Sequence, residues 1–186
     1  MRIAISGSHR TGKSTLLSEL SSLLPGYATV DEPYHRLVEE GYEFSHPPAP
    51  EDFEAQLERS LEDLSEAGEN TLFERCPVDF LAYLAVHEDI GGFDLDDWLV
   101  KVQDAAAALD FVVYVPIEER DRIAFSASDD EGSTREAVDA KLAELLLEDP
   151  FELGLEVVEV GGDAKSRARA VLQRVLRDSR KTSPRR

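Results

Sequence analysis

The chain has very little cysteine, and it contains no long uninterrupted apolar run. Cys76 is the single cysteine, so an internal disulfide and a zinc cluster built on cysteines are both excluded. No stretch approaches the roughly 18 apolar residues that a membrane-spanning helix needs, and no secretory signal pattern is present. We therefore expect a cytoplasmic protein with no membrane partner.

Basic residues are also scarce, since 20 Lys and Arg face 39 Asp and Glu, for a formal net charge of −19. Nucleic-acid surfaces are built from clustered Lys and Arg, so this balance argues against a nucleic-acid partner. A chain of 186 residues that is 42% hydrophobic predicts one domain, over residues 1–177. The remaining residues, 178–186, are basic and are expected to form a disordered tail.

Residues 7–14 fit the pattern G-x-x-x-x-G-K-[ST] and follow a short apolar run that is typical of a strand. This is the P-loop, or Walker A, pattern in its proper context, and it predicts ATP binding. Two glycines let successive backbone N–H groups point inward, the lysine reaches the outer phosphates, and the serine hydroxyl can ligate Mg²⁺. The predicted nucleotide-binding residues are Gly7, Ser8, His9, Arg10, Thr11, Gly12, Lys13, Ser14 and Thr15.

Strand and helix patterns alternate along the chain, which predicts a parallel sheet covered by helices on both faces. The predicted strands are 2–6, 27–30, 70–74, 111–115 and 155–160. The predicted helices are 13–24, 34–40, 51–67, 78–87, 95–108, 135–147 and 164–177, with another starting near 118. This is the α/β, three-layer P-loop NTPase fold with five parallel strands.

Charged residues follow two of the predicted strands, where ligands gather in such sheets. Glu32 is a candidate base for an acceptor hydroxyl, and Asp31 is its rival. Glu74 is a candidate Mg²⁺ ligand together with Ser14, and Arg75 could bind the acceptor or the phosphates. The alternative is structural, because Asp31 and Glu32 could cap the following helix, and Glu74 with Arg75 could be an ordinary charged strand end.

The segment from about 118 to 136 is the candidate for a helical lid that closes over the phosphates. Arg120, Arg122 and Arg135 flank a polar stretch, 126–134, that suits a mobile loop. We assign Arg122 as the lid arginine that stabilises the transferring charge. Each of these arginines could instead form a helix-surface ion pair.

The P-loop, the Asp31-Glu32-Pro33 segment and the Glu74-Arg75 pair together resemble the P-loop kinases of small metabolites, including the deoxynucleoside kinases. The stretch from Phe73 to Tyr83 also resembles the NadR-like, ribosylnicotinamide kinase group, whose members are labelled AAA-domain ATPases. The resemblance implies that Glu32 is the base and that Glu74 and Arg75 serve metal and substrate. It also allows a homodimer.

The chain departs from the deoxynucleoside kinases at Cys76, where that family carries Ser. Phe53 and Gln56 lie about where the family places an aromatic residue and a base-binding Gln, although core packing explains Phe53 equally well and Gln56 could lie on the surface.

Together these features predict an ATP- and Mg²⁺-dependent kinase that phosphorylates a hydroxyl of a nucleoside or nucleoside-like metabolite. The alternative is an ATPase that couples hydrolysis to a protein partner or a regulatory switch.

Overall fold

The computed structural model describes residues 1–87, 95–118 and 130–182. Strands and helices alternate along these residues. The strands are β1 Arg2–Ser6, β2 Ala28–Val30, β3 Thr71–Glu74, β4 Phe111–Tyr114 and β5 Val157–Glu159. The helices are α1 Lys13–Leu23, α2 Pro33–Glu39, α3 Pro50–Glu66, α4 Pro77–Val86, α5 Leu95–Ala106, α6 Asp130–Ala143 and α7 Ala164–Thr182, and a π-helical turn, Glu144–Glu148, follows α6.

The five strands form one sheet in the order β2-β3-β1-β4-β5, and every neighbouring pair is parallel. The register sets Ile5 opposite Glu74 and Ser6 opposite Tyr114. The last residues of β1, β3 and β4 therefore reach the same edge of the sheet. This edge receives the loops that carry the candidate site residues, as expected for an open parallel sheet.

Apolar side chains on the two faces of the sheet pack into two separate cores. On one face α3, α4, α5 and α6 surround Ala4, Phe73 and Val112. On the other face α1 and α7 cover Ile3, Ile5 and their neighbours. Because β1, β3 and β4 alternate between these two cores, consecutive apolar residues lie at the centre of each strand. The predicted three-layer α/β fold with a five-stranded parallel sheet is confirmed.

Two helices extend beyond their predicted limits. The polar stretch 126–134 was predicted to be a loop, but α6 already begins at Asp130, so the prediction is wrong for 130–134. Polar residues and a single glycine disfavour a helix only weakly, and tertiary packing can override that preference. Likewise α7 continues past Arg177 to Thr182, with Arg174 bonded to Asp178 at 2.8 Å one turn later. Residues 178–182 are therefore helical.

None of the described helices is both long enough and apolar enough to cross a membrane. Within the predicted lid, residues 119–129 lie outside the described part of the chain. Arg120 and Arg122 belong to this stretch.

Candidate active site

The P-loop connects β1 to α1 through two glycines that no other residue could replace without strain. Gly7 has φ of 157°, and a Cβ atom there would lie 2.5 Å from the carbonyl oxygen of Val115. Gly12 has φ of 90°, in the left-handed region that side chains rarely adopt. The close approach and the left-handed turn together give the loop its curled path into the N-terminus of α1.

The residues predicted to bind nucleotide differ in their exposure. The P-loop residues that are buried are Gly7, Ser8, Thr11 and Lys13; His9 is half-buried, and Arg10, Gly12, Ser14 and Thr15 are exposed. Of the exposed residues, Gly12, Ser14 and Thr15 lie at the start of α1. The positive end of a helix and its first N–H groups can attract an anion.

Lys13 folds back over the loop, and its Nζ donates a hydrogen bond to the carbonyl oxygen of Ser8 at 2.8 Å. Burial of Lys13 and the nearby charge of Arg75 lower its pKa to about 7, although Glu32, Asp79 and Glu74 act in the opposite direction. An anion beside the ammonium group would favour its charged form. A bound phosphate would therefore raise the pKa of Lys13 and stabilise its charged form.

Two arginines from distant parts of the chain bind the outer side of the P-loop. Arg135, in α6, donates from Nε to the carbonyl oxygen of His9 at 2.8 Å and from Nη2 to that of Arg10 at 3.4 Å. Arg167, in α7, donates from Nη1 to the carbonyl oxygen of Thr11 at 2.6 Å. The carbonyl oxygens of three consecutive loop residues, His9, Arg10 and Thr11, are thus all bonded to guanidinium groups. Sequence reasoning missed Arg167, which lies 156 positions from Thr11.

Ser14 and Glu74 meet beside the P-loop. The Ser14 hydroxyl donates to Oε1 of Glu74 at 2.6 Å, so two oxygen ligands of the kind Mg²⁺ prefers lie together at the start of α1. Across the described residues, no group of three or more His, Cys, Asp and Glu side chains could hold a metal ion. Mg²⁺ commonly takes one or two protein oxygens and completes its shell with phosphates and water, so Ser14 and Glu74 are the residues that could hold it here.

Glu32, which follows β2, pairs with Arg75, which follows the neighbouring strand β3. Arg75 Nε donates to Glu32 Oε1 at 2.5 Å, and the Glu32 side chain is 21% exposed. Burial raises the pKa of Glu32, but the charges of Arg75 and Lys13 outweigh burial and hold this pKa below its ordinary value. Glu32 is the N-cap residue of α2, yet its side chain makes no capping hydrogen bond. The carboxylate therefore faces the site, whereas Asp31 is exposed to solvent.

Arg75 lies at the centre of the site and is almost fully buried. Besides Glu32, its guanidinium binds the carbonyl oxygen of Gly7 at 3.0 Å and Oδ1 of Asp79 at 3.3 Å. Burial lowers the pKa of Arg75, but Tyr83, Glu32 and Asp79 raise it above its ordinary value. Arg75 also has φ of 73°, a left-handed conformation that costs a non-glycine residue energy and is typical of functional sites.

An aromatic stack lines the side of the site next to Arg75. The rings of Phe53 and Tyr83 are stacked, with centroids 5.0 Å apart and planes 9° apart, and Arg75 lies over the Tyr83 ring at 5.3 Å. The Tyr83 hydroxyl contacts Nδ1 of His9 at 3.4 Å. Burial and the neighbouring cations, Arg75 foremost, lower the pKa of His9 to about 4. His9 is therefore neutral at physiological pH.

Two residues proposed from the sequence, Gln56 and Arg122, are not among the described contacts of the P-loop, Glu32 or Arg75. Gln56 is buried, and its side-chain amide donates to the backbone carbonyl oxygen of Asp52 one turn earlier in α3 at 3.0 Å. Arg122 lies outside the described residues, so of the lid arginines only Arg135 is seen against the P-loop. Sequence reasoning also missed Asp79. The spacing of Cys76 and Asp79 at the start of α4 is a helix-capping signal that could have drawn attention to it.

Comparison with known proteins gives one family. The family model described as AAA domain matches residues 2–167, which is most of the chain. No curated protein was found to match the chain.

Many solved structures share the fold. They include deoxyadenosine kinase from M. mycoides with bound dATP, at 21% identity and a TM-score of 0.66, covering 95% of this chain and 100% of that one. Shikimate kinase from Acinetobacter baumannii in complex with shikimate has 18% identity and a TM-score of 0.54, covering 98% and 95%. The NadR protein in complex with NAD and AMP-PNP has 16% identity and a TM-score of 0.64, covering all of this chain and 51% of that one. At these identities the likeness shows a shared P-loop kinase fold.

Proposed function

This chain belongs to the AAA-domain family, and we propose that it is an ATP-dependent phosphotransferase that acts on the hydroxyl group of a small metabolite. The observation that carries the proposal is the Glu32 carboxylate, which is held by Arg75 beside the P-loop and left unused by the helix it precedes. An ATPase also needs a group that positions its water, so dependence on an acceptor is what separates the two activities. The lowered pKa keeps the Glu32 carboxylate ionised at neutral pH, so its oxygens can accept a hydrogen bond from a substrate hydroxyl and then its proton.

On the donor side, the P-loop residues Gly7 to Thr15 would bind the phosphates of ATP through the Lys13 ammonium and through backbone N–H groups other than that of Gly7, which Asp79 holds. Ser14 and Glu74 would hold Mg²⁺, as their 2.6 Å contact supports. When bound, Mg²⁺ supplies positive charge to the phosphate oxygens. Arg135 and Arg167 keep the loop carbonyls turned away, so the loop is preorganised for an anion.

On the acceptor side, Glu32 would orient the hydroxyl and take its proton. Arg75 is almost fully buried and already bonded to Gly7 and Glu32. We therefore assign Arg75 mainly to holding Glu32 in place and to adding positive charge near the phosphates. Arg122 remains our proposed lid arginine.

We propose that the acceptor is a nucleoside or a nucleoside-like compound. The stacked rings of Phe53 and Tyr83 adjoin Arg75, so a flat ring system can pack near the base. The deoxyadenosine kinase and NadR neighbours carry nucleotides in their structures, which favours the same ligand class here. Because the phosphate donor is ATP, we also propose that the protein acts in the cytoplasm; a homodimer remains an expectation from the resemblance.

A coupled ADP-release screen tests the proposal. Mg·ATP is offered with a panel of nucleosides, ribosylnicotinamide and other small hydroxyl metabolites, beside a control without acceptor. ADP release that depends on one acceptor, with a phosphorylated product in the mass spectrum, would support the kinase. Steady release without any acceptor would instead support an ATPase that works with a protein partner.

A further inference from the structure

Asp79 is a buried carboxylate in the first turn of α4 that the proposed function does not use. Its Oδ2 accepts hydrogen bonds from the Ser6 hydroxyl at 2.6 Å and from the Cys76 N–H at 3.0 Å. Its Oδ1 accepts from the Gly7 N–H at 3.1 Å and pairs with Nη1 of Arg75 at 3.3 Å. One side chain thus joins the end of β1, the start of the P-loop, the segment after β3 and the start of α4.

Helix capping explains only one of these four contacts. Asp79 is the third residue of α4, and a capping box at this position requires only the bond to the N-cap N–H of Cys76. Asp52 is the matching residue of α3, and it is equally buried. Its side chain binds Ala49, Ser45 and Tyr42, all within the segment that leads into α3. Asp79, by contrast, reaches the P-loop and Arg75.

The contacts of Asp79 continue through Arg75 to the proposed base. Asp79 binds the N–H of Gly7 while Arg75 binds the carbonyl oxygen of the same residue, so the pair holds both backbone polar groups of Gly7. The same guanidinium holds Glu32 through Nε. The donor side and the acceptor side of the site are therefore tied to one buried ion pair.

Because Arg75 and Asp79 are both buried, the position of the Arg75 guanidinium depends on the Asp79 charge. The Glu32 side chain is 21% exposed, whereas Asp79 is 0% exposed. Without Asp79, only the partly exposed Glu32 would balance the charge of the buried Arg75, so the guanidinium would be driven to shift toward Glu32 or toward water. Such a shift would carry Glu32 and the Gly7 backbone with it.

We infer that Asp79 is a positioning residue that fixes the P-loop and the Arg75–Glu32 pair relative to one another. The inference rests on the proposed function, because phosphoryl transfer requires a fixed distance between the phosphates at the P-loop and the acceptor hydroxyl at Glu32. Asp79 is fully enclosed and touches no reacting group, so its effect passes through Gly7 and Arg75. Its charge and its four contacts, rather than any proton transfer, carry the role.

The first test is Asp79→Asn, with Asp52→Asn as the matched control for loss of a buried capping carboxylate. Misplacement of a reacting group by about 1 Å can cost about 100-fold in rate, and we expect a fall in kcat of about that size for Asp79→Asn. Its Kd for ATP stays close to wild type, since Lys13 and the amides at the start of α1 remain. Asp52→Asn is expected to lose thermal stability to a similar degree and to keep its kcat.

A second variant guards against misfolding of α4. Ser is a strong N-cap residue, so Cys76→Ser strengthens the bond from the backbone N–H of residue 79 to the N-cap side chain and offsets the capping that Asp79→Asn weakens. The double variant, Cys76→Ser with Asp79→Asn, is expected to recover stability without recovering kcat. Cys76→Ser alone is its control and is expected to keep wild-type kcat.

A spectroscopic readout reports on Arg75 without any turnover. In ¹⁵N NMR of the whole protein, the buried Nε–H of Arg75 is expected to exchange slowly with water and to be identified by its loss in Arg75→Lys. We expect this signal to persist in Asp52→Asn and Cys76→Ser and to exchange rapidly in both Asp79 variants.

The outcomes separate this inference from the proposed function. If the wild type transfers phosphate to no acceptor, the proposed function fails, and the Arg75 signal alone then decides the role of Asp79. If the wild type is a kinase and the Asp79 variants keep kcat or a slowly exchanging Arg75 signal, Asp79 is only a cap and the inference is wrong.

Discussion

Replacing Glu32 by Gln should remove phosphoryl transfer while leaving the site assembled. The amide is the same size as the carboxylate, and its oxygen can still accept the hydrogen bond that Arg75 Nε donates. Arg75 keeps its bonds to the carbonyl oxygen of Gly7 and to Asp79. The substitution therefore changes the proton affinity at this position more than the geometry.

The expected loss follows from the role of a general base. Proton acceptance by a positioned side chain contributes about 10²- to 10⁴-fold in rate, equivalent to about 3–5 kcal/mol of transition-state stabilisation. We expect kcat of Glu32→Gln to fall within this range. ATP binding should not weaken, because Glu32 is an anion near Lys13 and its removal takes negative charge away from the phosphate site.

The assay is acceptor-dependent ADP release with a parallel measurement of the Kd for ATP by calorimetry. Asp31→Asn is the control, since Asp31 is the adjacent carboxylate and is exposed. A Glu32→Gln enzyme with normal kcat would refute the assignment of the base. Loss of activity in Asp31→Asn instead would transfer that assignment to Asp31.

Two further predictions concern the metal and the pH dependence. Ser14→Ala should raise the Mg²⁺ concentration needed for half-maximal turnover by about 10-fold or more, because loss of a ligand or supporting group typically weakens metal binding to this degree. A titration of turnover against Mg²⁺ measures the change, and a curve that matches wild type would contradict the prediction. For His9, the folded-state pKa of about 4 lies below the ordinary 6.5. As pH falls from 6.5 to 4 the unfolded chain takes up this proton first, so stability is lost in that window and His9→Asn should lose less. Urea unfolding at pH 7 and pH 5 measures the difference, and equal losses in both proteins would rule out His9 as the cause.

Local patterns in the sequence were sufficient to predict the fold. The apolar run Phe111–Tyr114 packs against both cores of the sheet, as its composition indicates. The glycines of the P-loop mark the turns that only glycine adopts without strain. These signals reside in a few neighbouring residues, so no knowledge of distant contacts is needed to interpret them.

The arrangement of the site depends on contacts that no local pattern encodes. Arg135 reaches the carbonyl oxygen of His9 over 126 positions, and Arg167 reaches that of Thr11 over 156. Glu32 and Arg75 were predicted to follow two of the strands, but their ion pair was not predicted, and Arg75 adopts a left-handed backbone conformation. Tertiary packing selects that conformation, and a propensity argument would have disfavoured it.

A kinase of this kind passes the γ-phosphoryl group of ATP to an acceptor hydroxyl, so the destination of that group is the quantity to measure. The reaction is run with Mg·ATP and the best acceptor of the screen in ¹⁸O-labelled water, and all phosphate-containing products are analysed by mass spectrometry. We predict a phosphorylated acceptor that contains no ¹⁸O, formed in proportion to ADP. Inorganic phosphate that carries ¹⁸O and forms at the same rate without acceptor would contradict the claim.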